Sequence, residues 1–309
     1  MKRTSYLIAI LITLVIGALL QYWLCCSCCE TSCQKQDMIT EVVVPVVETP
    51  EKTPLEGFAI VSEPLQVQHA DNFLFMKDSY EIHQPISDAL APLVEQARVH
   101  FAENPFKVLE IIGLYSKEEP NPSLFPTIGL ARANAVKSYL EKKGFPSQQI
   151  KIADRLADAD LSQTNAPVWA TLFQVSQVSE DALLQEKEKL EAFAAELRKN
   201  PIRLYFETGE AHINLNEEER NRVAQLNNYV TQVSDAKVLV VGHTDNVGKR
   251  TSNVRLGQER ADFVKLYLQK NNFDEAVLEA TSQGPDKPIA SNKTQEGRAE
   301  NRRVEITLK

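Results

Sequence analysis

The chain has 309 residues, enough for about two ordinary domains, and 43% of them are hydrophobic, which is sufficient to fill a core in each. The net charge is −8, and because residues 200–309 carry 16 basic and 16 acidic side chains, the whole acidic surplus lies before them. This composition excludes a disordered chain, and neither part has the basic surface that nucleic-acid binding requires.

Residues 6–24 form an uncharged, largely apolar run of the length that a membrane-spanning helix requires. Lys2 and Arg3 precede the run, and Tyr22 and Trp23 lie at its far end, which indicates that residues 1–5 are cytoplasmic. A cleaved signal peptide or a lipoprotein fits less well, because no small residue stands before Cys25. We therefore expect a single-pass anchor in a bacterial inner membrane with the remainder in the periplasm; the alternative is the outer membrane.

Residues 25–56 are predicted to be a cysteine-rich patch followed by a linker. The patch holds all five cysteines: Cys25, Cys26, Cys28, Cys29 and Cys33. Their CxxC spacing could hold a metal, but no histidine or second paired cluster completes a site, so no metal or cofactor is predicted. The odd number leaves one thiol for a partner chain in an oxidising compartment. Pro45, Pro50 and Pro54 then indicate a semi-extended tether.

An internal repeat organises the rest of the chain. Residues 260–268 match residues 132–140 at six of nine positions, and residues 238–242 parallel residues 109–113 as an apolar strand that ends in glycine. Residues 202–206 parallel residues 72–76 as an earlier strand. Each copy is predicted to run strand, helix, strand, helix, strand and final strand, the last being residues 169–175 or 303–308.

The helices of this pattern have apolar faces at three-to-four spacing. In the first copy the face is Leu90, Val94, Ala97 and Phe101; in the second, after an Asn216 N-cap with Glu219, it is Val223, Leu226, Val230 and Val233. Strands that alternate with helices predict an α/β (α+β sandwich) fold with mixed sheets, in two domains at residues 57–178 and 201–309. Residues 179–200 are predicted to be a connecting helix whose apolar stripe, from Leu183 and Leu184 to Leu197, docks on a domain.

The residues that suggest a function lie in the second copy. They are Gly242, His243, Thr244, Asp245, Asn246, Val247 and Gly248 in a loop, Asn253, Leu256 and Arg260 on the next helix, and Gly284, Gly297, Arg298, Asn301, Arg302 and Arg303 downstream. From residue 202 to 309 this order of motifs resembles the OmpA-like, peptidoglycan-associating domain family, and the first copy resembles a degenerate member.

The resemblance implies non-covalent binding of the peptidoglycan stem peptide, chiefly its diaminopimelate. Asp245 would accept from the ligand ammonium, Arg260 would pair with its carboxylate, and Thr244, Asn253, Leu256 and Phe206 would shape the pocket. A zwitterionic ligand independently requires one fixed acceptor and one forked donor. Two positions depart from the family pattern: Glu207 stands where aspartate is usual, and Gly257 where serine is common.

Other interpretations of the same residues stay open. Asp245 and Arg260 could form a plain surface salt bridge, and Arg298, Arg302 and Arg303 are expected to divide between fold-stabilising pairs and a solvated face. His243 is expected to be structural, because nothing marks Ser252 as the strained nucleophile that a hydrolase triad with His243 and Asp245 would need. We therefore expect a non-enzymatic tether between membrane and cell wall.

The first copy is expected to keep the fold but not the ligand. Arg132 stands where Arg260 does, but Ser116 takes the place of Asp245 and Lys117 would repel an ammonium group. The alternative is that Glu118 or Glu119 restores the missing charge. A second functional hypothesis is an envelope scaffold or signalling adaptor, in which this domain binds a protein partner.

Overall fold

The computed structural model describes residues 57–157, 166–206 and 215–309. The predicted transmembrane helix at residues 6–24 and the cysteine patch and linker at residues 25–56 lie outside the described residues. Within the described ranges, no helix is both long enough and apolar enough to cross a membrane. The described elements form an N-terminal half up to residue 178, a C-terminal half from residue 201, and one helix that joins them.

The N-terminal half is a mixed α/β structure. Its strands are β1 (Phe58–Ser62), β2 (Leu65–His69), β3 (Leu74–Phe75), β4 (Lys107–Tyr115), β5 (Ile150–Leu156), β6 (Val168–Trp169) and β7 (Thr171–Gln177), and its helices are α1 (Leu90–Glu103) and α2 (Ile128–Lys142). Strand β4 is parallel to β5 and antiparallel to β7, and β3 pairs with β6. Because β6 and β7 are separated only by Ala170, the spatial order reads β5, β4, β7 with β6, then β3.

The β1–β2 hairpin is an element that the sequence prediction lacks. Phe58, Ile60 and Val67 are buried, and the ring of Phe58 lies 4.9 Å from that of Phe173 on β7. The hairpin therefore covers one face of the β7 strand, and the N-terminal half has a larger core than the repeat alone predicts. Its earlier predicted strand, residues 72–76, is reduced to the two residues of β3.

The C-terminal half has one four-stranded mixed sheet with the order β10, β9, β11, β8. Its elements are β8 (Ile202–Tyr205), α4 (Glu217–Gln232), β9 (Val238–His243), α5 (Arg250–Lys270), β10 (Leu278–Gly284), α6 (Gln295–Asn301) and β11 (Arg303–Leu308). Strand β9 is parallel to β10 and antiparallel to β11, so it lies in the centre of the sheet. The mixed α/β class expected from the sequence is confirmed.

Local sequence accounts for the helices of both halves. Asn216 caps α4, its side chain accepting from the N–H of Glu219 while the Glu219 carboxylate accepts from the N–H of Asn216. The predicted apolar faces of α1 and α4 are buried, except that Val233 is only partly buried. The position and orientation of α4 therefore follow from capping and periodicity, and those of α1, which has no side-chain cap, from periodicity alone.

The joining helix, α3 (Glu180–Lys199), is capped by Ser179, whose hydroxyl accepts from the N–H of Ala182. Only its C-terminal part docks. Ala194 and Leu197 are buried in the core of the C-terminal half, whereas Leu183 is 37% and Leu184 56% exposed. The N-terminal part of the predicted apolar stripe is thus not a docking face for either core.

The two halves share an interface formed by the loop after β4, by α2, and by α4 and α5. Leu124, from the N-terminal half, is 2% exposed and packs in the core of the C-terminal half. Beside it, the buried side chains of Asn134 and Asn227 form a hydrogen bond of 2.6 Å, in which Asn227 donates. Lys137 donates to Thr231 Oγ1 at 2.8 Å, which places a lysine that is 1% exposed in the same interface.

Candidate functional site

Asp245 lies just beyond β9, in the loop that leads to α5. Its side chain is 16% exposed, and its Oδ1 accepts a hydrogen bond from the backbone N–H of Val247 at 3.1 Å. The preceding residue, Thr244, donates its N–H to the carbonyl of Gly284 at 2.9 Å. These backbone contacts hold the carboxylate at the end of the central strand with part of its surface open to solvent.

Two glycines bring α5 against β9. A Cβ atom on Gly242 would lie 1.8 Å from the carbonyl oxygen of Gly257, so a side chain there would clash with backbone. A Cβ atom on Gly257 would lie 2.3 Å from Oγ of Ser282, whose hydroxyl lies close to the space that a serine at position 257 would use. The close approach carries Asn253 and Arg260, one turn on either side of Gly257, to the end of the sheet.

Arg260 is 7% exposed, and its guanidinium carbon lies 5.4 Å from the centre of the Phe206 ring. Among the described residues, its Nη1 has no hydrogen-bond partner. Burial lowers the pKa of Arg260 because it penalises the charged form; the nearby guanidinium of Arg302 adds to this, and Asp245 opposes it. A buried cation with an unused donor is suited to pair with an anion brought by a ligand.

Arg302 is a member of the site that the sequence analysis did not assign to it. Its Nη1 lies 3.2 Å from Oδ2 of Asp245, and both side chains are 16% exposed. The antiparallel register of β11 on β9 pairs Val304 with Gly242, which places Arg302 opposite Thr244. The sequence signal for this role was the position of Arg302 immediately before β11, the strand that pairs with β9. Asp245 therefore pairs with Arg302 and not with Arg260, and the surface salt bridge considered from the sequence does not form among the described residues.

The remaining predicted site residues lie in the loop after β9, on α5 and just after β8. Asn253 is 7% exposed and donates from Nδ2 to the carbonyl of Val247 at 3.1 Å, which fastens the loop to the first turn of α5. Thr244 is buried, and its hydroxyl donates to the carbonyl of Asp245 at 2.9 Å. Leu256 is 39% exposed and lies one turn before Arg260 on the same face of α5. The ring of Phe206 lies under the guanidinium of Arg260.

The OmpA family model matches residues 205–302. Over 133 residues the chain is 30% identical to the peptidoglycan-associated lipoprotein of Buchnera aphidicola subsp. Baizongia pistaciae, and the match covers 43% of this chain and 71% of that protein. The chain belongs to the OmpA family. Each of the six residues predicted to form the site lies within the segment that matches the OmpA family.

Other relatives match over shorter shares of their length. The chain is 49% identical to the probable lipoprotein YiaD of Escherichia coli (strain K12) over 71 residues, which are 23% of this chain and 32% of that protein. The crystal structure of the peptidoglycan-associated lipoprotein from Burkholderia pseudomallei is 27% identical, with 35% of this chain and 89% of that chain covered and a TM-score of 0.32. The chain thus spans about one third of the length of the Escherichia coli relative.

Proposed function

We propose that the C-terminal half binds peptidoglycan non-covalently. The observation that carries this proposal is the buried Arg260 guanidinium, which lies on the Phe206 ring with an unused Nη1 donor beside the partly exposed carboxylate of Asp245. Membership of the OmpA family and the name of the Buchnera relative, a peptidoglycan-associated lipoprotein, support the same ligand.

The ligand group that we propose is the free end of diaminopimelate in the stem peptide. It carries an ammonium group, which suits Asp245, and a carboxylate, which suits Arg260. In the described structure Nη1 of Arg302 donates a hydrogen bond to Oδ2 of Asp245 at 3.2 Å. The incoming ammonium would share or take over this carboxylate oxygen, so that Arg302 is the residue whose contacts change on binding.

Substitution of either charged residue tests the proposal. Asp245→Ala or Arg260→Ala in the full chain should abolish retention on purified sacculi, because each leaves one ligand charge unpaired in a partly desolvated site. The expected loss is about 2 to 5 kcal/mol of binding free energy. Arg255→Ala is the matched control, since Arg255 lies on the same helix in an exposed pair with Glu259. Retention of either site variant at the wild-type level, with an unchanged circular dichroism spectrum, would reject the site.

Binding is the whole activity that we propose, without hydrolysis of the wall. The same sacculus experiment separates the two classes, because a binder is retained on intact wall and releases no soluble muropeptides. Free muropeptides that contain diaminopimelate should compete with sacculi for the protein, whereas amidation of their free carboxylate should weaken the competition. Muropeptides that appear in the supernatant over time would instead indicate an enzyme.

We further propose that the protein tethers a membrane to the wall of the cell envelope. The apolar run at residues 6–24 supports an inner-membrane anchor, and the lipoprotein names of the relatives are compatible with the alternative, the outer membrane. Residues 25–56 would then connect the anchor to the N-terminal half, which is joined by α3 to the wall-binding half. Fractionation of inner and outer membranes from cells that produce the full chain tests the compartment independently of wall binding.

A further inference from the structure

The N-terminal half contains an arginine in the same structural setting as Arg260. A Cβ atom on Gly113 would lie 1.8 Å from the carbonyl oxygen of Gly129, the same distance as for a Cβ atom on Gly242 and the carbonyl oxygen of Gly257. In each half the arginine stands three residues after the helical glycine, Gly129 or Gly257. The guanidinium carbon of Arg132 lies 5.7 Å from the centre of the Phe75 ring. This contact makes Phe75 the counterpart of Phe206, whereas the repeat alignment pairs Phe206 with Met76, the next residue.

The two arginines differ in what they contact. Arg132 is fully buried and donates from both Nη1 and Nη2 to the carboxylate of Glu119, which is itself 0% exposed. Nη1 also donates to the carbonyl of Leu114 at 2.9 Å, and Nε donates to the carbonyl of Ser79 at 3.0 Å. Arg260, by contrast, retains a buried donor without a partner among the described residues.

The Glu119 carboxylate is enclosed by donors as a bound ligand would be. Besides Arg132, its Oε1 accepts from the N–H of Asp78 and its Oε2 from the N–H of Ser116, each at 3.3 Å. In the register of β7 on β4, the position that corresponds to Arg302 is Trp169, and within the part of the chain that the structure describes no guanidinium other than that of Arg132 pairs with Glu119. A carboxylate with two-point contact to a buried guanidinium is strongly held.

The loop that carries Glu119 is also fixed at its far end. Leu124 is buried in the core of the C-terminal half, its N–H donates to Oδ1 of Asn271 at 2.9 Å, and the hydroxyl of Tyr267 donates to the carbonyl of Pro122 at 3.2 Å. Withdrawal of Glu119 from Arg132 by movement of the loop would therefore disturb the interface between the halves.

We propose that the N-terminal half holds a carboxylate-binding site on Arg132 that is permanently filled by its own Glu119. Glu119 serves as an internal ligand, so Arg132 is closed to a carboxylate of the wall, and of the two arginines only Arg260 is left to bind one. The sequence left open that Glu118 or Glu119 restores the missing charge. Glu119 does reach the arginine, but it occupies the site and leaves no place for a second carboxylate. The comparison with Arg260 and the conclusion about the wall rest on the proposed function; the internal ligand itself does not.

Chemical rescue tests this proposal in the full chain. Glu119→Ala should lower the melting temperature in sodium chloride, since it leaves Arg132 buried without its counterion. Replacement of chloride by sodium acetate or formate at equal ionic strength should restore about 3 °C or more, because the small carboxylate occupies the vacated place. If the variant does not fold in chloride, its yield of folded protein in acetate against chloride is the same comparison.

Two controls make the result specific. Wild type and the double variant Glu119→Ala/Arg132→Met should respond equally and weakly to the change of salt. Glu119→Gln keeps the shape without the charge and should melt well below wild type. The proposal is overturned if acetate shifts Glu119→Ala no more than wild type, if the double variant shows the same rescue, if Glu119→Ala stays unfolded in both salts, or if Glu119→Gln is as stable as wild type. None of these readings depends on wall binding, so failure of the Asp245 and Arg260 variants would be recognised separately.

Discussion

His243 is the last residue of β9, immediately before Thr244 and Asp245, and it is 2% exposed. Its Nε2 lies 3.7 Å from Oε2 of Glu305, and Arg303 contacts the same glutamate, Nε to Oε1, at 2.8 Å. Among the described residues, neither ring nitrogen of His243 has a hydrogen-bond partner. An imidazole in this setting is expected to be neutral, and the structural role predicted from the sequence remains a prediction.

The protonation of His243 should make stability depend on pH. Burial lowers its pKa from 6.5 to about 4; Arg303 adds to the shift, and Glu305 opposes it. Above pH 6.5 the imidazole is neutral in both the folded and the unfolded state, and its contribution to the free energy of unfolding is complete. As the pH falls from 6.5 through 4, the unfolded chain takes up a proton that the folded protein resists, so this contribution is lost.

His243→Gln removes the titration and should flatten the pH dependence in that window. We expect the wild type to lose about 1 to 3 kcal/mol more than the variant between pH 7 and pH 4. Urea unfolding of both proteins at several pH values measures this difference. The other carboxylates are common to the two proteins, and only Glu305, whose pKa is lowered in part by His243, loses that contribution in the variant. Parallel curves for wild type and variant would contradict the prediction.

At the scale of elements, α3 belongs structurally to the C-terminal half over its last turns only. Leu197 is fully buried, and the carbonyl of Leu197 accepts from the hydroxyl of Thr307 on β11 at 3.2 Å. Leu184, on the same helix, is 56% exposed. A fragment that begins after α3 would therefore lack part of the core of the wall-binding half.

Two leucine substitutions on this one helix should have unequal effects. Leu197→Ala should destabilise the protein by about 2 to 5 kcal/mol, because it removes buried methyl groups and leaves a cavity. Leu184→Ala has the same change in helix propensity and should cost less than about 0.5 kcal/mol. Equilibrium unfolding in urea measures both, and equal losses would show that α3 does not complete the core.

At the scale of the whole molecule, the two halves are joined through polar side chains that are removed from water. Asn134 on α2 and Asn227 on α4 are 1% and 2% exposed, and Asn134 also donates from Nδ2 to the carbonyl of Asn271 at 3.4 Å. Burial of Lys137 lowers its pKa, while Glu141 opposes the shift. Buried polar groups stabilise an interface only while they remain paired.

A double-mutant cycle measures this coupling between the halves. Asn134→Leu alone should cost about 1 to 3 kcal/mol, because the amide of Asn227 loses its acceptor inside the interface. Asn134→Leu/Asn227→Leu should lose less than the sum of the two single variants, by about 1 kcal/mol or more. Unfolding should be a single transition in the wild type, as followed by circular dichroism. Additive losses would show that the two asparagines are not coupled across the interface.

The sequence by itself determined the mixed α/β class, the apolar faces of α1 and α4, the N-cap of α4, the final strand at residues 303–308, and the OmpA family segment that contains Asp245 and Arg260. These features are local: capping, a period of 3.6 residues, and an ordered motif can each be recognised within one segment. The anchor and linker before residue 57 remain predictions.

Only the tertiary structure decided which charges meet. Arg302 reaches Asp245 through the register of β11 on β9, and Glu119 reaches Arg132 through a loop whose path depends on the docking of Leu124 in the other half. The β1–β2 hairpin likewise becomes part of the core only by packing on β7. Arg302 with Asp245 and Phe58 with Phe173 are far apart in the chain, and the shorter contact of Glu119 with Arg132 depends on the docked loop. The choice among several nearby carboxylates and guanidinium groups depends on strand register and burial, which a single sequence does not specify.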